Sequence, residues 1–198
     1  MAMQTRGCAA RGGDSMLASS EMVYNELIRT RPDVIRTLAT PDWPADVNDP
    51  ELKDERRASL FFHNGRIILN FSAALIKAHA RLLLDKNERL LTDDQLDALE
   101  AVFETASKHY LKINMQPGDL QFVNNFAILH AREEFKDDAV NKRHLVRMWL
   151  SGDRKWNLPY DLEKVRSMIF DGDDELEESW EIDPMPGKKP PLPYCLSH

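Results

Sequence analysis

One histidine and two arginines carry the clearest chemical signal in this chain. His130 ends the apolar run N-N-F-A-I-L-H, and Arg143 and Arg147 follow it at 13 and 17 residues. A neutral imidazole can bind a metal ion, and a guanidinium can hold a carboxylate through two parallel hydrogen bonds. Taken alone, such a histidine is more often a surface residue at a strand end. The two arginines that follow His130 favour a binding site over a surface histidine.

The arginines stand four residues apart on a segment with the pattern of a strand. Residues 143–150 read R-H-L-V-R-M-W-L, which puts Arg143, Leu145, Arg147 and Trp149 on one face. A solvent-facing strand rarely has leucine and tryptophan between its arginines, so this pattern favours the wall of a pocket. Four strand residues span about 13 Å. We therefore expect the two arginines to bind two different groups unless a bulge brings them together.

Several local signals predict the elements around this segment. Ser20 is a plausible N-cap for a helix over residues 21–30, and T-x-x-Q at residues 92–95 is a capping box that begins a helix reaching residue 111. Asn-Gly at residues 64–65 lies between two apolar runs and predicts a hairpin. Strands are predicted over residues 119–124 and 126–130, and a charged loop over residues 131–142.

Length, charge and composition limit the classes of function. The chain has 198 residues and a net charge of −7, which argues against nucleic acid as a partner. It has no apolar run of about 20 residues and no secretory signal, so we expect no membrane contact and a cytoplasmic location. Cys8 and Cys195 form no metal-binding or redox motif. We expect one domain over residues 1–160, then an acidic and proline-rich tail over residues 161–198.

Four motifs resemble a known family. In chain order they are G-G-D-S at residues 12–15, F-F-H-N-G-R-I-I-L-N at residues 61–70, P-G-D-L-Q-F-V-N-N-F-A-I-L-H-A-R at residues 117–132 and R-H-L-V-R-M-W-L at residues 143–150. Together they resemble the Fe(II)- and 2-oxoglutarate-dependent dioxygenases of the TauD/TfdA, or clavaminate synthase-like, superfamily. The resemblance implies a mixed α/β chain whose β core is a partial double-stranded β-helix, of the jelly-roll or cupin type, with flanking helices.

The resemblance also implies roles for individual residues. His130 would bind Fe(II), Arg143 would anchor 2-oxoglutarate, and Arg147 would hold 2-oxoglutarate or an anionic group of the substrate. Asn125 would shape the turn before the ligand strand, and Trp149 would support the site. The reverse assignment of the two arginines stays open. The implied reaction oxidises a small, anionic organic substrate while 2-oxoglutarate and dioxygen become succinate and carbon dioxide. An oligomer is compatible with this reading.

The sequence departs from the family in one respect. Members need an H-x-D or H-x-E pair, and none of the other five histidines of this chain has an acid two residues later. In the family this pair precedes the segment that resembles residues 11–15. We therefore expect a truncated dioxygenase. The truncation could cost the chain its binding of both Fe(II) and 2-oxoglutarate. The alternatives are an inactive remnant that binds an anion or a protein partner, and an unrelated α+β interaction domain.

Overall fold

The computed structural model describes residues 1–44, 56–70, 91–152 and 155–171. These residues form twelve strands and four helices. The helices are α1 (Ser20–Thr30), α2 (Pro32–Ala39), α3 (Asp93–Lys108) and α4 (Tyr160–Phe170). The strands are β1 (Ala2–Gly7), β2 (Arg11–Gly12), β3 (Ser15–Ser19), β4 (Trp43–Pro44), β5 (Arg56–Arg57), β6 (Leu60–His63), β7 (Arg66–Leu69), β8 (Leu111–Ile113), β9 (Leu120–Phe122), β10 (Ile128–Arg132), β11 (Phe135–Lys136) and β12 (His144–Met148).

Two three-stranded antiparallel sheets form the β core of the described chain. In the first sheet β1 is the central strand, between β12 and β9. In the second sheet β3 is central, between β10 and β8. β2 and β11 form a further short antiparallel pair. Each central strand thus comes from the first 19 residues, and each pairs with a strand more than 90 residues later.

The predicted hairpin and capping box are both confirmed. β6 and β7 pair around Asn64 and Gly65, whose φ angles of 48° and 73° are those of a type I′ turn. The side chains of Thr92 and Gln95 each accept a hydrogen bond from the other's backbone N–H, at 3.2 and 2.9 Å. These bonds satisfy two N–H groups that would otherwise lack partners at the start of α3.

The main hydrophobic core lies between the helices and the β6–β7 hairpin. Its largest fully buried side chains include Trp43, Leu27, Leu38 and Leu99. α1 begins one residue earlier than expected, because the Ser19 side chain, not that of Ser20, accepts a hydrogen bond from the Met22 N–H. Full burial of one such leucine stabilises the fold by about 1.5–3 kcal/mol.

Further element boundaries differ from the sequence expectation. The helix predicted to reach residue 111 ends at Lys108, and Leu111 instead begins β8, which pairs with β3. The loop predicted over residues 131–142 is partly strand, because β10 continues to Arg132 and β11 pairs with β2. The Leu162 side chain of α4 is buried with Ile68 and Leu158. The acidic and proline-rich tail was predicted over residues 161–198, and residues 172–198 of it lie outside the described residues. No helix in the described ranges is long and apolar enough to cross a membrane.

Candidate functional site

The candidate site lies on one face of the β9–β1–β12 sheet. Met3 in β1 is the partner of both Arg147 and Gln121, and Thr5 is the partner of Leu145. Partners opposite each other on antiparallel strands point to the same side. This face therefore carries Arg147 and Leu145, with Thr5 and Gln121 buried beside them.

Arg143 is held at the start of β12 by contacts along its whole length. Its backbone N–H donates to the Asp137 carboxylate at 2.9 Å, and its Nε donates to the Gly13 carbonyl at 3.2 Å. Its Cζ lies 5.6 Å from the ring centroid of Phe135. Desolvation lowers the pKa of Arg143, and the nearby charge of Arg132 adds to this effect. A half-buried guanidinium with lowered pKa is one that an anion would stabilise.

The terminal nitrogens of Arg143 have no carboxylate partner among the described residues. Two acids that line the cavity are paired with a lysine: Lys112 lies 3.3 Å from Asp14 and 2.9 Å from Glu133. Asn114 also donates to Asp14 at 2.7 Å, and this bond lowers the pKa of the Asp14 carboxyl. Asp14 and Glu133 are therefore compensated, whereas the Arg143 guanidinium forms no ion pair with a described residue. The charge of the Asp137 carboxylate acts on Arg143 and opposes the lowering of its pKa.

Arg143 lines a cavity of about 870 Å³. Its wall also includes Leu145, Thr5 and Cys8, and the Cys8 thiol donates to the Met115 carbonyl at 3.2 Å. This volume is in the range of small-molecule sites. His130 and Arg147 are not among the lining residues. Of the two predicted arginines, Arg147 lies on the sheet face that carries Leu145, whereas Arg143 precedes β12 and borders this cavity.

His130 lies in the middle of β10, opposite Leu17, and not at a strand end. Desolvation lowers the pKa of its imidazole, and the positive charges of Arg147 and the Met1 amine lower it further. His130 is nevertheless an exposed residue, so its desolvation is partial. His130 and Arg147 are thus electrostatic neighbours, and the imidazole is favoured in its neutral form, the form that binds metals.

Arg147 is expected to tune the titration of His130. Arg147→Met should raise the pKa of His130 towards its ordinary value of 6.5, although not fully, because desolvation is the larger cause. NMR titration of the imidazole measures this change. Arg143→Met is the matched control and should leave the His130 pKa unaltered, since Arg143 is not among the charges that act on it. An equal shift in both variants would contradict this geometry.

The same shift gives stability a defined pH dependence. Because the folded-state pKa of His130 is lowered, the unfolded chain binds more protons between that pKa and 6.5. The contribution of His130 to stability is therefore complete above pH 6.5 and is lost as pH falls through the folded pKa.

Gly13 packs directly under the Arg143 side chain. A Cβ at Gly13 would lie 3.0 Å from Arg143 Cδ and 3.2 Å from Nε, and the backbone has φ +86°. Gly13 thus combines a left-handed conformation with a close approach that only glycine allows.

Replacing Gly13 with alanine is expected to lower stability and to displace Arg143. The left-handed conformation alone should cost about 1–2 kcal/mol. Gly65→Ala is the matched control, because Gly65 has φ +73° and a Cβ added there would meet nothing within 4 Å. Chemical denaturation should show a loss of stability in both variants, larger in Gly13→Ala because of the close contact, and only Gly13→Ala should weaken anion binding. Equal binding by both variants would show that Gly13 does not position Arg143.

Two more features lie near the candidate site: the turn before β10, and the Trp149 ring beside Arg147. The Asn124 side chain accepts a hydrogen bond from the Phe126 N–H at 3.0 Å, and its carbonyl accepts from Ile128 at 2.9 Å. The turn bonds thus come from Asn124, while Asn125 Oδ1 is buried with no partner among the described residues. Arg147 Cζ lies 6.0 Å from the ring centroid of Trp149, near the outer limit for a cation–π contact.

Comparison with known proteins identifies a family that matches most of this chain. Residues 3–149 fit the family model described as "Taurine catabolism dioxygenase TauD, TfdA family". The chain belongs to the TauD/TfdA family. It is 38% identical over 180 residues to the taurine hydroxylase-like protein SAT17 of Stachybotrys chartarum, covering 88% of this chain and 46% of that protein.

The chain is also similar to two less closely matched proteins. The chain is 22% identical over 165 residues to FR-33289 synthase of Streptomyces rubellomurinus, covering 80% of this chain and 48% of the synthase. Asparagine oxygenase, solved with Fe(II), 2S,3S-3-hydroxyasparagine and succinate, has a TM-score of 0.54 and 16% identity, covering 73% of this chain and 42% of its own. The expected double-stranded β-helix fold is confirmed. The chain spans about half the length of the curated relatives it matches.

The metal that the TauD/TfdA family implies does not fit the described residues alone. A facial iron site needs two histidines and one carboxylate on one side of the ion. No group of three histidine, cysteine, aspartate or glutamate side chains that could hold a metal occurs in residues 1–44, 56–70, 91–152 and 155–171. The described chain therefore does not supply a complete set of ligands for such a site.

Sequence reasoning missed the part of the site that comes from the N-terminal strands. Thr5, Cys8 and Gly13 all border the cavity beside Arg143. The only local signal was the Gly-Gly pair, which predicts a turn but not what packs against it. Their position depends on β1 lying next to β12, a pairing that alternation of residue types does not reveal.

Proposed function

We propose that this chain carries the cosubstrate-binding part of an Fe(II)- and 2-oxoglutarate-dependent dioxygenase that oxidises a small, anionic organic substrate. Arg143 anchors the far carboxylate of 2-oxoglutarate, Arg147 holds the anionic group of the substrate, and His130 contributes one metal ligand. Membership of the TauD/TfdA family supports the reaction class. The observation that carries the proposal is the Arg143 guanidinium, half-buried in a cavity wall without a carboxylate partner among the described residues.

The different surroundings of the two arginines support their assignment. Arg143 borders the cavity, and its Nε is fixed by Gly13 so that its terminal nitrogens remain available to a ligand. Arg147 acts electrostatically on His130 and lies near Trp149. A substrate group held there would be close to the proposed metal ligand. Asn125 and Trp149 support these positions in this proposal.

Titration with dicarboxylates tests the cosubstrate assignment without requiring turnover. The chain should bind 2-oxoglutarate under anaerobic conditions, followed by NMR so that millimolar affinities are measurable. 2-Oxobutanoate, which lacks the far carboxylate, should bind at least tenfold more weakly, because it leaves Arg143 without a counter-ion. Equal binding of the two acids would contradict an anchoring role for Arg143.

The absence of a three-ligand cluster from the described residues favours a second candidate, an inactive remnant that binds anions or a protein partner. The outer face of β9 and β12 offers a surface for the latter, because Leu120, Phe122 and Met148 are exposed there. Succinate release by a longer form that contains an H-x-D or H-x-E pair would favour the dioxygenase. Binding without turnover in that form would favour the remnant. A cytoplasmic location remains the expectation from sequence.

A further inference from the structure

We propose that Arg11 and Lys136 form a basic entrance to the cavity that Arg143 lines, where a dicarboxylate is first attracted on its way to that arginine. The inference rests on the proposed function and adds the route by which the cosubstrate reaches its anchor. It identifies the ligand of the entrance by charge alone, as a small dianion.

Two cations face each other across the short β2–β11 pair. Arg11 is the register partner of Lys136, and partners opposite each other on antiparallel strands point to the same side. Like charges in this arrangement repel each other and destabilise the strand pair. Neither side chain forms an ion pair with a described residue. An anion that approached both side chains would relieve the repulsion.

The two cations lie at the solvent-exposed end of the cavity. Arg11 and Lys136 are exposed, whereas Arg143, which lines the same cavity, is half-buried. Gly13, two residues after Arg11, accepts a hydrogen bond from Arg143 Nε at 3.2 Å. Phe135, directly before Lys136, has its ring centroid 5.6 Å from Arg143 Cζ. A ligand that arrives from solvent therefore meets the exposed cations before it reaches the half-buried one.

The acids that line the cavity leave this end positive. Asp14 and Glu133 are both paired with Lys112. Glu134 is the remaining acid of the lining, and it stands against three cations that form no ion pair with a described residue. The whole chain has a net charge of −7, which repels a dianion at long range. A local positive region raises the rate at which such a ligand arrives.

Removing both entrance charges is expected to slow association. In Arg11→Gln/Lys136→Gln, the association rate constant of 2-oxoglutarate should fall about tenfold at an ionic strength of about 0.01 M. At about 1 M the loss should be less than about twofold, because salt screens exposed charges. The dissociation rate constant should stay unchanged, since the entrance does not hold the bound carboxylate. NMR line shapes during anaerobic titration give both constants. Faster dissociation with unchanged association would place the pair in the final binding site and overturn the entrance.

Glu134→Gln should produce the opposite change. Association should become about threefold faster at low ionic strength, because the variant removes the acid that opposes the entrance charges. A gain of this kind does not arise from damage to the fold. The denaturation midpoint of Arg11→Gln/Lys136→Gln should be equal to or above that of the unmodified chain, since a repulsive pair is removed. A purely structural pair would give a lower midpoint with unchanged rate constants.

Arg36→Gln/Lys108→Gln is the matched control. It removes one arginine from α2 and one lysine from α3, and neither residue lines the cavity. Equal slowing in the two double variants would indicate an effect of net charge alone and would overturn the entrance.

Arg143→Ala separates this inference from the proposed function. If Arg143→Ala loses 2-oxoglutarate while Arg11→Gln/Lys136→Gln associates at the unmodified rate, the entrance is wrong and the proposed function stands. If Arg143→Ala keeps its affinity while Arg11→Gln/Lys136→Gln associates slowly, the entrance stands and the anchor is wrong. If the unmodified chain binds no 2-oxoglutarate at millimolar concentration, both are overturned.

Discussion

Arg143→Ala is expected to weaken 2-oxoglutarate binding by about 30- to 1,000-fold. The variant loses a charge-assisted, two-pronged contact inside a partly desolvated cavity, worth on the order of 2–4 kcal/mol. The lowered pKa of Arg143 has the same origin, because desolvation makes the unpaired cation unfavourable until an anion arrives. Anaerobic titration with 2-oxoglutarate measures the loss without interference from turnover.

Two variants separate this role from general effects of charge. Arg143→Lys keeps the charge but not the planar fork and should recover only part of the affinity. Arg132→Ala removes a cation that also stacks on Phe135, at 4.3 Å, and should leave binding intact or slightly improved, because Arg132 repels the positive charge of Arg143. Comparable losses in both alanine variants would indicate a diffuse electrostatic effect.

Arg147→Ala tests whether the second arginine also binds 2-oxoglutarate. It should mainly affect the primary substrate and leave 2-oxoglutarate binding nearly unchanged, since Arg147 does not border the cavity. If Arg147→Ala abolishes 2-oxoglutarate binding while Arg143→Ala preserves it, the assignment of the two arginines is inverted. If neither variant changes the affinity, the arginines are structural.

Local chemistry made several elements predictable from sequence. The Asn64-Gly65 hairpin and the Thr92–Gln95 capping box each depend on residues within four positions of one another, and both are present. The common face of Arg147 and Leu145 also follows from simple alternation along β12. These features need no knowledge of what lies opposite them.

Long-range pairing accounts for what the sequence did not reveal. β1 is the centre of its sheet, yet its six residues A-M-Q-T-R-G have no clear alternation. Thr5 meets Leu145, and Gly13 meets Arg143, only because the chain returns more than 100 residues later. The cavity is therefore a product of strand order. For the same reason β10 exceeds its predicted end, since β3 supplies partners as far as Arg132.

The 198-residue chain alone is expected to bind Fe(II) weakly and to release no succinate from 2-oxoglutarate. Three protein ligands hold iron in this class of site, and the described residues offer His130 without a second and third ligand nearby. A single imidazole does not retain a divalent ion against water and buffer. Equilibrium dialysis with Fe(II), followed by a succinate assay in air, measures both properties.

His130→Ala distinguishes a real but incomplete site from incidental binding. If the imidazole is the one ligand present, this variant should abolish the residual Fe(II) affinity, whereas His144→Ala, on β12 opposite Gly7, should not. Stoichiometric succinate release by the unmodified chain would contradict the prediction. It would require ligands from residues 45–55, 71–90, 153–154 or 172–198, or from a second chain, and metal binding should then become dependent on acids or histidines in those segments. Retention of 2-oxoglutarate binding without turnover would instead place cosubstrate recognition and metal binding on separable parts of the protein, because Arg143 and its cavity are formed by residues that do not depend on iron.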